Sequence, residues 1–401
     1  MGKIMKILLL GCGNVGANVA RQLVAGNPDV EYVIADINAD TATALATEVG
    51  SAARAMRVDI NQPQQLDAAL DGVQLVFNAV GPFYRSALPV VEAALRNRVD
   101  YIDINDDHDV AEALLLKGDY HARALAAGIR IIIGCGSTPG LTNVVARLLA
   151  DRLDQTHAIH LSTVVPFSPQ SLSPAVVDHM LHITSGGVTQ FEQGQYCLKP
   201  GWSGRRDVEY KAPFGEMGAY LIGHGETITL PHYIKGVQEV SNRIGFFPDR
   251  GNQIWRSFID LGFAATDKIE GLGISPMQFM AQYFSSSVAA EALAVDLSTA
   301  PRSVAFRIEV LGQRDDAEIT SVMEYHIKLP TSAEEAGSAD PTPTCARLVL
   351  EAYIRGEITG QGLLSPEICL DAEAYVAAFA EATGANFILD ERVVKGGLYT
   401  S

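Results

Sequence analysis

The chain lacks the features that mark several classes of protein. Its five cysteines are an odd number among 401 residues, widely spaced, with no C-x-x-C pair and no histidine at metal-ligand spacing. We therefore expect free thiols, no structural zinc and no other metal. It has 30 Lys and Arg residues against 47 Asp and Glu residues, a net charge of -17, which disfavours partners such as nucleic acid or an anionic membrane surface. No apolar run is long enough to span a bilayer and no signal-peptide pattern is present, so we expect a cytoplasmic protein.

The rest of the composition is that of an ordinary folded protein. Hydrophobic residues make up 48% of the chain and charged residues 19%. This balance is typical of an α/β protein that buries a sizeable core. The length predicts two domains, or one domain with a large insertion.

The first strand-to-helix turn organises the chain. Residues 6–10 form an apolar run of strand length, and residues 17–25 have helical composition and spacing. A G-x-G-x-x-G turn joins them at Gly11, Gly13 and Gly16. In a Rossmann dinucleotide-binding fold these glycines permit a tight turn, close approach of a pyrophosphate and close helix packing. The stretch therefore predicts a doubly wound parallel sheet that binds a nicotinamide cofactor.

An acid follows at the position where a nucleotide ribose is bound. A second apolar strand ends at Asp36, about twenty residues after Gly16, and a carboxylate there can bond both ribose hydroxyls of adenosine. Neither Ile37 nor Asn38 is a cation that would hold a 2′-phosphate, so the sequence favours NAD over NADP. Asp36 can equally cap the helix predicted from Ala39, and the two roles are compatible.

Further strand ends extend the predicted cofactor site. Residues 58–60, 73–80 and 101–105 look like the next three strands, and ligands of open α/β sheets lie beyond the carboxyl ends of the strands. Asp59 is left open between a contact to the nucleotide and a cap for a helix at 63–70. The predicted cofactor-binding residues are Gly11, Cys12, Gly13, Asn14, Val15, Gly16, Asp36, Ile37, Asp59, Ile60, Asn78, Ala79, Val80 and Gly81.

Polar residues gather beyond the fifth strand and beyond a later junction. Asp103 lies nearest the crevice and is a predicted catalytic residue, whereas Asp106 and Asp107 suit helix caps. The apolar strand at 128–134 indicates a parallel sheet buried on both faces. Tyr84 either faces the crevice or begins a helix, and the surroundings of Cys135 favour packing over catalysis. The predicted substrate contacts are Tyr84, Asn105, Cys135, Ser137 and Thr138.

Beyond about residue 145 the βαβ alternation ends. Residues 159–165, 227–230, 303–310 and 320–329 have the alternating or β-branched pattern of strands in a mixed sheet, which predicts a second, α+β domain. Residues 186–218 look like a loop that closes over the pocket. His224 is the candidate proton acceptor of this domain, with a core or capping role as the alternative. Cations suited to holding a substrate carboxylate are Arg205, Arg206, Lys211 and Arg243.

These motifs resemble those of the saccharopine dehydrogenase-like oxidoreductases in order and spacing. The similarity rests on G-C-G-N-V-G, N-A-V-G-P-F, the Y-I-D strand end and the G-C-G-S-T-P-G-L-T-N junction, and continues at residues 223–231 and 360–367. It implies hydride transfer between NAD and a C–N bond of an amino acid, opine or carboxylated polyamine. It also implies a homodimer. Thr138 stands where the family often has Asp, which argues against assuming a lysine-pathway substrate.

The first hypothesis is therefore an NAD-dependent dehydrogenase with a small-molecule amine or amino-acid substrate. The alternatives are a lysine 6-dehydrogenase-like oxidative deaminase and a non-catalytic nucleotide-binding protein. We predict a Rossmann domain at 1–143, an α+β substrate-binding and dimerisation domain at 144–340, and C-terminal helices at 341–401 that return to the first domain.

Overall fold

The computed structural model describes residues 4–167, 174–284, 286–292, 301–329 and 341–394. The chain forms two compact units. The first unit is Met1–Leu148 with Pro330–Gly384, and the second is Leu149–Leu329 with Ala385–Ser401. No helix in the described ranges is both long enough and apolar enough to span a membrane.

A parallel sheet of seven strands forms the centre of the first unit. Its strands are β1 (Lys6–Leu10), β2 (Glu31–Asp36), β3 (Ala53–Arg57), β4 (Leu75–Asn78), β5 (Asp100–Asp103), β6 (Arg130–Ile132) and β15 (Gly362–Leu364). Their order is β15-β6-β5-β4-β1-β2-β3, and every neighbouring pair is parallel. The strand order reverses between β1 and β4. The carboxyl ends of these two strands are where an α/β sheet binds its ligand.

Helices connect these strands, and most residues of the central strands are buried. The helices of the first unit are Asn14–Gly26, Ala39–Val49, Pro63–Ala69, Phe83–Asn97, His108–Glu112, Tyr120–Ala127, Pro341–Ile354, Pro366–Cys369 and Ala372–Thr383, with a π-helical turn at Ala113–Lys117. The helix Leu141–Ala150 begins in this unit. Ile7, Leu8, Val33 and Val76 have no exposed surface. Burial of successive residues on both faces is what a parallel sheet requires.

The second unit contains a mixed sheet. Its strands are β7 (Gln155–Pro166), β8 (Gly187–Glu192), β9 (Gln195–Pro200), β10 (Arg206–Tyr210), β11 (Gly215–Leu221), β12 (Glu239–Phe247), β13 (Ser303–Arg314), β14 (Ala317–Lys328) and β16 (Phe387–Val394). The order is β10-β11-β12-β7-β13-β14-β16, with β8 pairing with β12 and β9. Strands β7 and β12 are parallel, and the other pairs are antiparallel. The helices are Pro174–Thr184, Glu226–Tyr233, Arg250–Asp260, Pro276–Phe284 and Ser287–Ala292.

Strand β10 crosses one face of this sheet. It stands four places from β13 in the strand order, yet Arg206 Nη2 lies 2.7 Å from Glu309 Oε1 on β13. The Lys211 N–H, directly after β10, donates to Glu324 Oε1 on β14 at 2.7 Å. Apolar side chains of β10 also pack with those of β7 and β13. The sheet therefore bends until the β10–β11 hairpin covers part of its own face.

The predicted fold class, a Rossmann sheet with a second mixed-sheet domain, is confirmed. Several predicted elements are wrong. The third strand is Ala53–Arg57 rather than 58–60, and residues 186–218 form strands rather than a loop. Residues 227–230 belong to a helix, where Thr227 Oγ1 donates to the His224 carbonyl at 2.9 Å. The Thr227 hydroxyl thus has a backbone acceptor in the first turn of the helix. The strand propensity of the β-branched residues here did not decide the secondary structure.

The end of the chain also differs from the prediction. The sequence analysis expected only helices after residue 341, but Phe387–Val394 is a strand that pairs with β14 in the second unit. The helices Pro341–Ile354 and Ala372–Thr383 lie in the first unit. The domain borders drawn at 143 and 340 stay predictions.

Candidate active site

The glycine turn after β1 has the shape that a dinucleotide site needs. Gly11 has a φ of +99°, and a Cβ there would lie 2.9 Å from the Ala79 backbone. A Cβ on Gly16 would lie 2.0 Å from the Gly11 carbonyl oxygen, whereas a Cβ on Gly13 would meet nothing within 4 Å. Gly13 is the N-cap of the helix Asn14–Gly26, which has no side-chain cap. The turn therefore offers open space and helix N–H groups to a phosphate.

Asp36 is fixed beside this turn by backbone donors. Its Oδ2 accepts from the Cys12 N–H at 2.8 Å, and its Oδ1 accepts from the Asn38 N–H at 2.9 Å. The helix Ala39–Val49 is capped by Asn38, whose Oδ1 accepts from the Asp40 and Thr41 N–H groups. Asp36 is therefore not the helix cap. Each carboxylate oxygen keeps acceptor capacity for a ribose hydroxyl.

The other predicted nucleotide contacts lie around this edge. Asn14 and Val15 open the first helix, and Ile37 is 59% exposed. Asp59 lies two residues beyond β3, and its Oδ1 accepts from the Asn61 N–H at 2.9 Å. The helix Pro63–Ala69 has Gln62 as its N-cap without a side-chain bond, so Asp59 does not cap it. Half-buried Ile60 follows Asp59.

The carboxyl end of β4 supplies the next predicted contacts. Asn78 is fully buried, and its Oδ1 accepts from the Val80 N–H at 3.1 Å. The Ala79 N–H donates to the Leu10 carbonyl at 2.8 Å, which joins this strand end to that of β1. Gly81 is exposed, and a Cβ there would meet nothing within 4 Å. The carboxyl ends of β1 and β4 thus lie side by side, and the backbone at Gly81 faces open space.

Asp103 ties three strand ends together. Its Oδ2 accepts from the Tyr101 hydroxyl at 2.8 Å, and its Oδ1 accepts from the N–H groups of Asn105 at 3.0 Å and Gly134 at 2.8 Å. Tyr101 in turn accepts from Asn78 Nδ2 at 3.1 Å. Asp103 is completely buried, and burial raises its pKa to about 6 although these hydrogen bonds oppose the shift. This geometry favours a positioning role over direct proton transfer.

Tyr84 lies in the first turn of the helix Phe83–Asn97, and its contact with a substrate stays a prediction. Its N–H donates to Asp107 Oδ2 at 2.9 Å. Asp107 therefore serves this helix, and it makes no side-chain cap for the helix His108–Glu112. Asn105 is also buried, and its Oδ1 accepts from the Asp107 N–H at 3.2 Å.

The junction after β6 contains two kinds of buried side chain. Cys135 has no exposed surface, and burial raises the pKa of its thiol well above the ordinary value, so the thiol is a packing group. Ser137 is 2% exposed, and its Oγ has no hydrogen-bond partner among the described residues. Ser365, which follows β15, has the same properties. Sequence reasoning missed Ser365 because only the pairing of β15 with β6 reveals its place. Thr138, half-buried, precedes Pro139.

The second unit contains a buried histidine–carboxylate pair. His224 Nδ1 lies 2.6 Å from Glu226 Oε2, and the two residues are 3% and 0% exposed. With Glu226 ionised, Nδ1 donates the hydrogen bond and Nε2 of the neutral ring is the acceptor. The His179 ring lies 6.2 Å from the His224 ring, centroid to centroid. Glu226 was not predicted, although it stands in the same Gly-His-Gly-Glu motif.

The predicted residues thus fall into two groups. Asp103 and Ser137 lie in the first unit, and His224 lies in the second. The predicted residues of the first unit fit a nicotinamide dinucleotide, because they include the open space at Gly13, the uncapped helix N–H groups that follow it and the fixed carboxylate of Asp36.

Comparisons with known proteins give similarities to several oxidoreductases. A family model described as the saccharopine dehydrogenase NADP binding domain matches residues 7–132. Carboxyaminopropylagmatine dehydrogenase from Synechocystis sp. is 25% identical over 291 residues, which is 69% of this chain and 71% of that protein. A trans-acting enoyl reductase from Mycobacterium leprae is 35% identical over 102 residues, 23% of each chain. The structure of apo saccharopine dehydrogenase (L-Glu forming) from Saccharomyces cerevisiae shares the fold, with a TM-score of 0.66, 16% identity and coverage of 97% of this chain and 100% of that chain.

Proposed function

Because the chain belongs to the saccharopine dehydrogenase-like oxidoreductases, and is thus an NAD(P)-dependent dehydrogenase acting on CH–NH donors, we propose that it uses NAD to oxidise a secondary amine. The substrate class is an amino acid, an opine or a carboxylated polyamine. The observation that carries the proposal is the fixed carboxylate of Asp36 beside the open glycine turn. The proposal includes a cytoplasmic homodimer.

The choice of NAD rests on charge. The Asp36 carboxylate accepts hydrogen bonds from ribose hydroxyls and repels a 2′-phosphate. Arg57, exposed at the end of β3 in register with Asp36, is the cation that would favour the phosphate. The two side chains form no ion pair in the described part of the chain. We assign the preference to Asp36, because its two backbone donors fix it in place. Calorimetric titration with NADH and NADPH tests this, and tighter binding of NADPH would contradict it.

In this proposal the two units divide the chemistry. The bound cofactor supplies a hydride acceptor. The substrate nitrogen must be neutral before the hydride leaves its carbon, and Nε2 of His224 takes that proton while Glu226 stabilises the imidazolium. Loss of the hydride leaves an iminium ion, and water adds to its carbon with release of one proton. The resulting carbinolamine separates into a carbonyl compound and an amine. Asp103 holds the strand ends in place, and Ser137, Thr138 and the other predicted contacts stay candidates for binding substrate.

A carboxylated polyamine is the substrate class we favour. The relative from Synechocystis sp. is named as a carboxyaminopropylagmatine dehydrogenase. Thr138 stands where the similar family often has an aspartate. The carboxylate that would contact a lysine-pathway substrate is therefore missing at this position. Both observations point away from lysine itself.

Absorbance at the NADH band tests the reaction. Purified protein and NAD are mixed with lysine, saccharopine, related opines, carboxyaminopropylagmatine and other carboxylated polyamines, and the products are analysed for ammonia. We expect NADH formation from one secondary amine without ammonia. Ammonia release would replace our proposal with oxidative deamination. NAD binding without turnover across the panel would favour the non-catalytic alternative.

A further inference from the structure

Three arginines converge under the β10–β11 hairpin of the second unit. Arg206 comes from β10, Arg243 from β12 and Arg307 from β13. They line a cavity of about 10 Å³ together with His160, Leu161, Ser162, Val208 and Glu309. That volume is about the room needed by one water-sized particle. The His224–Glu226 pair does not line it, so this is a separate site.

Two of the arginines have carboxylate partners. Arg206 Nη2 lies 2.7 Å from Glu309 Oε1, and Arg307 Nη2 lies 3.5 Å from Glu309 Oε2. Arg307 Nη1 is also 3.6 Å from Oε2 of the buried Glu324. Glu309 therefore serves two guanidinium groups, and its charge does not neutralise the cavity.

Arg243 has no carboxylate partner among the described residues. Its Nε donates to the Gly204 carbonyl at 3.1 Å, and its Nη1 donates to Ser241 Oγ at 2.5 Å. Both acceptors are uncharged. Burial, together with the charge of Arg206, lowers the pKa of Arg243, and the more distant carboxylates of Glu239 and Glu192 oppose the shift. A partly buried cation that has no carboxylate within ion-pair distance is stabilised when an anion binds beside it.

His160 adds a hydrogen-bond donor but no charge. Its Nδ1 lies 2.8 Å from Ser241 Oγ. The Ser241 oxygen accepts from Arg243 and has a second lone pair and one hydrogen of its own, so it can pair with either tautomer of the neutral His160 ring, which carries one N–H donor. Burial, reinforced by Arg206, lowers the pKa of His160 to about 4, so the ring is neutral at neutral pH. The cavity therefore presents three guanidinium groups, one carboxylate and neutral donors.

From this arrangement we infer that the second unit binds a small monovalent anion between Arg206, Arg243 and Arg307. The ligand is chloride, because a single-atom anion with one negative charge suits a guanidinium-lined cavity that has room for one water-sized particle.

Chloride NMR on the full-length protein tests the site, because exchange with a bound state broadens the chloride line. We expect excess broadening with the wild-type protein and a loss of about tenfold or more in chloride affinity in Arg243→Gln. Arg205→Gln is the matched control, since Arg205 pairs with Asp207 at 2.7 Å and does not line the cavity. Glu309→Gln should bind chloride more tightly than wild type, because it removes the negative charge.

The remaining outcomes decide the ligand and the proposal. Narrowing of the line when acetate is added identifies a site that also accepts carboxylates, and an unchanged line identifies a chloride site. Equal broadening in wild type and Arg243→Gln, or none in wild type, would overturn the proposal. If Arg243→Gln does not fold by circular dichroism, Glu309→Gln decides: chloride affinity no higher than in wild type overturns it.

Discussion

The predicted nucleotide site of the first unit and the arginine-lined cavity of the second unit are built from different parts of the polypeptide. The first consists largely of backbone, with open space at Gly13 and N–H groups that fix Asp36. The second consists of side chains from strands far apart in the sequence, such as Arg206, Arg243 and Arg307. A site made of backbone is encoded in one local motif, whereas a site made of side chains depends on sheet topology.

The sharpest test of the division between the units is His224→Asn. We expect a loss of about 10²- to 10⁴-fold in turnover, because the proton acceptor is removed. The affinity for NADH should not change, since the first unit holds the cofactor. Steady-state kinetics and calorimetry measure the two quantities, with His157→Asn, a half-exposed histidine on β7, as the control. Parallel losses of turnover and NADH affinity would contradict the division.

Two glycine variants distinguish a glycine that the packing of the protein requires from a glycine that leaves room for the cofactor. Gly16→Ala places a Cβ 2.0 Å from the Gly11 carbonyl oxygen, so we expect unfolding to become easier by about 1–3 kcal/mol and NADH binding to be lost. Gly13→Ala meets no protein atom within 4 Å. It should lower the free energy of unfolding by no more than about 1 kcal/mol, the cost of alanine at a helix N-cap, yet weaken NADH binding about tenfold. Denaturant unfolding and calorimetry give both values, and unaltered NADH affinity in Gly13→Ala would show that the cofactor does not use this space.

Asp36→Ala tests the one side chain on which the backbone-made site depends. We expect NADH affinity to fall about 10- to 100-fold, because hydrogen bonds to a charged group are worth about 1.5–3 kcal/mol. NADPH affinity should fall less or rise. The exposed Asp40→Ala is the control. Adding Arg57→Ala to Asp36→Ala should reduce NADPH binding alone, and equal losses of both cofactors from Asp36→Ala would remove its role in discrimination.

The smallest expected effect concerns pH. Burial raises the pKa of Asp103 to about 6, above an unfolded value of about 4, so the folded protein binds this proton more tightly. The stabilisation is complete below pH of about 4 and is lost as the pH rises through about 6. Asp103→Asn should flatten the fall in unfolding free energy over this range, measured by urea titrations at several pH values. Identical slopes for the two proteins would contradict the proton assignment.

Local motifs allowed much of the first unit to be predicted from the sequence. The glycine turn, the strand ending at Asp36 and the helix Ala39–Val49 lie where they were expected. The helix at 227–230 was missed because its β-branched residues have strand propensity, which burial and the Thr227 hydrogen bond override. The position of Ser365 could not be predicted from the sequence because it depends on the pairing of β15 with β6. The cavity under β10 could not be predicted because it depends on the bend of the sheet.

Deuterium transfer is the most direct test of the central claim. The active secondary amine is labelled at the hydrogen of the carbon that donates the hydride to NAD, and the reduced cofactor is analysed by mass spectrometry. The account predicts NADH that carries the deuterium, formed together with a carbonyl compound and an amine. Reduced cofactor without deuterium, or reduction of NADP in preference to NAD, would contradict it.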